Sequence, residues 1–135
     1  MMIEKVASEA QAIRIYQDGA IREYGRESTQ YGQILRGWEA MTSGANEMPA
    51  FGVSIDEWTQ KQRQEGLWAE FLFDEEYTVS EMPFERLLIC CKEEYSGFNI
   101  ERYYEGGYRG RCYYLDLREN TMQGFCECLK RVWKE

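Results

Sequence analysis

From residue 67 to residue 117 the chain is a succession of β-rich runs joined by connections of a few residues each, and no other feature restricts the possible folds as much. Residues 67–73 have the composition of a buried strand, Tyr77-Thr78-Val79 resumes after Asp74-Glu75-Glu76, and residues 84–92 follow the interruption at Pro83. Residues 98–104 and 109–117 flank Glu105-Gly106-Gly107-Tyr108, a hairpin connection with glycine where the backbone needs positive φ. Strands that follow one another in sequence through short turns favour an antiparallel sheet over a parallel βαβ array.

The flanking segments add another hairpin and the helices. Ile13, Ile15 and Gln17 alternate with Arg14 and Tyr16, and Asp18-Gly19 separates them from residues 20–24, so the chain is expected to turn back on itself there. From Ser28 the period changes: Tyr31, Ile34, Leu35, Trp38 and Met41 fall on one face of a helix that Ser28 or Thr29 can cap. Residues 44–52 read as a loop, with an extended conformation open to residues 50–53. Ser54-Ile55-Asp56-Glu57 has the spacing of a capping box and opens a short helix that Trp58 anchors at the surface. Asn120, with Gln123 as its capping partner, begins the last helix, in which Met122, Phe125, Cys126, Leu129, Val132 and Trp133 share a face. Residues 3–7 suit a short strand or a helical turn. The expected fold is one α+β domain over residues 1–135: a single layer of mainly antiparallel sheet with two hairpins and roughly five or six strands, and about three helices against one face.

A chain of 135 residues buries about two thirds of its unfolded surface and can stand without metal or disulfide staples. Its longest apolar run, Leu87-Leu88-Ile89-Cys90-Cys91, is far short of the roughly 20 residues that span a bilayer, so no membrane association is expected. Five cysteines, two of them adjacent, give no even framework of half-cystines, which points to free thiols in a cytoplasmic, reducing compartment. The formal charge of −8 is concentrated: residues 37–85 carry eleven acidic side chains against Lys61 and Arg63, a net of −9. That acidity disfavours nucleic acid as a partner and suits a protein that masks a basic one.

Histidine is absent, so no Ser-His or Cys-His nucleophile pair exists. Cys126 and Cys128 lie about 200° apart on a helix, and Cys90 and Cys91 face opposite sides of a strand, so neither pair chelates one ion; no metal and no cofactor are expected. Cys112, beside Arg109 and Arg111, is a candidate reactive thiol set against ordinary core packing. Gly106-Gly107-Tyr108-Arg109-Gly110 is glycine-rich but lacks the strand-loop-helix setting of a phosphate cradle.

Two constellations remain. Glu70 interrupts an apolar strand, either as the partner of Arg102 or Arg111 on a neighbouring strand or as a functional carboxylate in a pocket. Tyr103, Tyr104, Tyr108, Tyr113 and Tyr114 crowd one hairpin with Arg102, Arg109 and Arg111, either as a displayed contact surface or as cross-strand pairs that stabilise the sheet. The expected function is that of a binding or regulatory protein that contacts a protein partner or a second copy of itself. Its candidate contact residues are Glu70, Arg102, Tyr104, Tyr108, Arg109, Arg111 and Tyr113, with no catalytic residue assigned. The alternative is a small-molecule binder or enzyme with Glu70, Arg102, Arg111 and Tyr113 around a pocket on the sheet.

Overall fold

A computed structural model describes residues 1–49 and 52–135. The chain begins with helix α1 (Ile3–Val6) and a 3-10 turn (Ala7–Glu9), then forms β1 (Ala12–Gln17), β2 (Ala20–Gly25), α2 (Thr29–Thr42), β3 (Asn46–Met48), β4 (Val53–Ser54) and α3 (Asp56–Gln62). It continues through β5 (Leu67–Val79), β6 (Met82–Cys91), β7 (Gly97–Tyr104), β8 (Gly107–Tyr108), β9 (Gly110–Arg111) and β10 (Tyr113–Asp116) to α4 (Gln123–Trp133). The fold is α+β. Eight strands make one sheet in the order β2-β1-β5-β6-β7-β10-β3, with β8 hydrogen-bonded to the end of β7, and its pairings are antiparallel. β4 and β9 form a separate two-residue ladder. The sheet is thus wider than the sequence suggests, and the α-helices among the described residues number four.

The extra elements have local causes. Ser80 and Glu81 both adopt positive φ, 51° and 65°, and close a two-residue turn between Val79 and Met82. β5 and β6 therefore form a third hairpin, with Pro83 inside its second strand. The run of residues 109–117 is divided rather than continuous: Tyr108 pairs with Tyr103 and Tyr113 with Ile100, so residues 109–112 bulge out opposite residues 101 and 102. Gly110 (φ 75°) turns the chain there, and a Cβ on it would lie 2.9 Å from the Arg102 guanidinium. Ala50 lies outside the described residues, whereas Val53, at the end of the segment left open to extension, pairs with Arg111.

Alternation along the strands sends two sets of side chains to opposite faces. Ile13 and Ile15 of β1, Ala69 and Phe71 of β5, Leu87 and Ile89 of β6, and Phe98 and Ile100 of β7 bury against α1, α2 and α4. Trp38 of α2 is at the centre of this core, its ring edge-to-face with Phe71, Phe98 and Phe125 at centroid distances of 5.1, 5.8 and 5.8 Å. Its indole N–H donates to the Glu4 carbonyl at 2.9 Å. Ser28 caps α2 as expected by accepting from the Tyr31 N–H.

The opposite face carries a smaller cluster of Tyr16, Trp68, Leu88 and Tyr108. α3 covers this side, so the helices are not confined to one face as the sequence suggests. Its buried Thr59 hydroxyl donates to Glu101 on β7, and Asp56 accepts from the Tyr108 backbone N–H. The capping boxes are also rearranged. The N-cap of α3 is Ile55, with no side-chain cap, because the Ser54 hydroxyl donates to Glu101 instead. α4 starts at Gln123 rather than Asn120, whose amide donates to the Met41 carbonyl of α2.

Candidate functional site

The register β1-β5-β6-β7 sets Arg14, Glu70, Leu88 and Glu101 side by side in one row on the α3 face. The row contains two carboxylates in very different surroundings.

Glu70 is wholly buried, 0% exposed. Tyr16 donates its hydroxyl to Oε1 at 2.7 Å, and the Tyr108 hydroxyl donates to Oε2. Arg63, just past α3, reaches Oε2 at 3.2 Å, and Arg14 reaches Oε1 at 3.5 Å. The Arg63 guanidinium also lies over the Tyr16 ring, 4.5 Å from its centroid. Burial, then the charge and hydrogen bond of Glu70, push the Tyr108 hydroxyl well above the ordinary tyrosine pKa, and Tyr16 rises for the same reasons. A buried carboxylate is tolerable when donors and cations answer it on every side, and Glu70 has four such partners. Closed in this way, it has no room for a substrate.

The ion pairs are with Arg14 and Arg63, not with Arg102 or Arg111. Of the latter two, Arg102 is engaged elsewhere. Arg102 is buried facing the other side of the sheet, where it donates to the carbonyls of Arg111 and Pro83, each at 2.7 Å, and lies over the Tyr104 ring. It satisfies the backbone exposed by the bulge. Tyr113 also faces away from Glu70 and donates to the Val79 and Met82 carbonyls beside the β5–β6 turn. Arg109 and Arg111 are exposed. Glu70, Arg102, Arg111 and Tyr113 therefore do not line one pocket. Of the seven candidate residues, Glu70 and Tyr108 meet directly, and Arg102 meets the Tyr104 ring and the Arg111 backbone.

The tyrosine-rich hairpin is mostly built into the protein. Tyr108 and Tyr113 are buried, while Tyr103, Tyr104 and Tyr114 are half-buried. Tyr103 packs edge-on against Tyr108 and under Arg86.

Glu101, at the other end of the row, opens a different site. Ser54 and Thr59, both buried, donate to a single oxygen, Oε1, at 2.7 and 2.6 Å. Beside it lies a groove of about 550 Å³ whose walls include Trp68, Cys90, Lys92, Tyr95, Asn99 and Glu101. The Cys112 thiol lines the same groove 3.5 Å from the Ser54 hydroxyl; burial is the main cause that holds it above its ordinary pKa, the reverse of what an activated nucleophile needs.

Val53 and Ser54 of β4 line this groove, Ser54 buried and Val53 67% exposed; in the turn into α3 that follows, Ile55 is 59% exposed, and Trp58, one position before the buried Thr59, is 57% exposed. Sequence reading placed Trp58 on the surface but as an anchor, and it missed the groove. Among the described residues no His, Cys, Asp or Glu cluster is suited to hold a metal ion, and no helix is long and apolar enough to cross a membrane. No family model, no curated protein and no solved structure matches the chain.

Proposed function

We propose that this chain is a binding protein whose working surface is the β4–α3 side of the sheet, where it docks a protein partner. The observation that carries the reading is the exposure of Val53, Ile55 and Trp58 within one short stretch of chain, with Val53 in the wall of a groove. Large apolar side chains gathered within six residues of chain, with polar groups around them, mark contact surfaces, and tryptophan is the residue type most enriched at binding hot spots. The surface belongs to the acidic middle segment, which favours a basic partner and speeds its encounter.

The test compares wild type with an Ile55→Ser, Trp58→Ser double variant. Both substitutions are at exposed positions and leave the buried face of α3 intact. The variant should lose a protein that the wild type captures from native lysate, or lose a dimer seen by sedimentation if the partner is a second copy. Equal capture and equal sedimentation would overturn the proposal. A second reading, a small-molecule site, is favoured by the groove volume, which lies within the range of about 300–1,000 Å³ common for ligand pockets. A small ligand held within the groove would bind wild type and the double variant alike.

A further inference from the structure

We infer that the groove beside Glu101 receives the cationic side chain of a lysine or arginine, presented by the partner that docks on Val53, Ile55 and Trp58. The inference rests on that docking reading and gives it a chemistry.

One row of the sheet holds two carboxylates that are answered differently. Glu70 and Glu101 stand two strands apart, roughly 10 Å, on the same face. Glu70 has two guanidinium groups within 4 Å. Glu101 has none among the described residues and is held only by neutral hydroxyls. Both hydroxyls converge on Oε1 and anchor that oxygen, while no described residue donates to Oε2. Thr59 is 2% exposed and Ser54 7%, so neither donor is a surface accident. A carboxylate anchored by buried donors and placed in the wall of a groove is a preorganised acceptor for an N–H cation.

The rest of the groove suits the stem of such a side chain. Trp68, Tyr95 and Cys90 offer aromatic and apolar surface to methylenes, and an aromatic face also attracts the cation itself. Lys92, the cation in the wall, lies with its ammonium 5.8 Å from the Tyr95 ring centroid rather than on Glu101. Lysine and arginine share what the site recognises, N–H donors carrying a positive charge on an apolar stem, and the experiment separates them.

Three acetylated and amidated tripeptides, with a central lysine, arginine or norleucine between glycines, are titrated into the 135-residue chain while its backbone and indole amide signals are followed by NMR. The charged peptides should shift the signals of Glu101, Asn99 and the Trp68 indole. Norleucine, which keeps the stem and lacks the charge, should bind about tenfold more weakly or worse, as expected for the loss of a charge-assisted hydrogen bond. Glu101→Gln should weaken the charged peptides by a similar factor without moving norleucine. Glu101→Asp, which keeps the charge and shortens its reach, serves as the second variant if Gln disturbs the fold. Equal binding of all three peptides, or charged peptides unaffected by either variant, would overturn the inference. The docking surface is judged separately by Ile55→Ser with Trp58→Ser, so a groove that rejects cations leaves that proposal standing, and a groove that accepts them does not rescue it.

Discussion

Glu70 and Glu101 show how far the worth of one side chain depends on what answers it. Removing the Glu70 charge with Gln leaves Arg63 and Arg14 facing two tyrosine hydroxyls, and breaking a buried pair from one side costs about 3–5 kcal/mol, to be read from urea unfolding. Tyr108→Phe removes one hydrogen bond to a charged acceptor and should cost about 1.5–3 kcal/mol in the same measurement. Tyr108 also sets a pH dependence. Its folded pKa is raised, so its contribution is complete below the unfolded tyrosine value of about 10 and is lost as pH climbs above that value. The wild type should lose stability steeply above pH ~10, and Tyr108→Phe should flatten that alkaline limb. The thiols divide just as clearly. Cys91, Cys112, Cys126 and Cys128 are buried, and burial holds Cys126 up at about 11, whereas Cys90 is half-buried in the groove wall. A thiol reagent should therefore modify Cys90 first, and Cys90→Ser should abolish that phase.

Among the elements, the β5–β6 hairpin stores the clearest local strain. Ser80 and Glu81 take the left-handed conformations of a tight turn without glycine or asparagine to ease them. Ser80 is held by its bond to Glu47 on β3, which leaves Glu81 as the position to relieve, and Glu81→Gly should raise stability by about 0.5–1 kcal/mol in urea unfolding. This turn also marks where sequence reading stops. Asp18-Gly19 and Glu105-Gly106 declare their hairpins because glycine has a physical reason to be there, whereas nothing in the identities of Ser80 and Glu81 announces positive φ, and Pro83 suggests a break. Periodicity found α2 and the common apolar face of α4, because that information is local. It marked Glu70 as anomalous but could not supply Arg14, 56 residues away, because strand register is set by pairing across the sheet. Ser54 misled for a related reason: a capping hydroxyl and a hydroxyl bound to a distant carboxylate look alike in sequence.

At the scale of the whole molecule the two sheet faces are unequal. One is closed by the large core under α1, α2 and α4; the other is held by the small cluster, the Glu70 hub and a few polar ties from α3. Hydrogen exchange should show that inequality: β5 and β6 amides should open only with global unfolding, while α3 amides exchange through a cheaper local opening. Asp56→Ala should speed α3 exchange without accelerating β5. The rim of the sheet carries its own safeguard. β2 is bonded on one side only, and its middle residues are Arg22 and Glu23. A dyad perpendicular to the sheet joins residues of equal parity, so a copy centred on either middle residue sets guanidinium against guanidinium or carboxylate against carboxylate. The open border thereby discourages stacking into ribbons at high concentration.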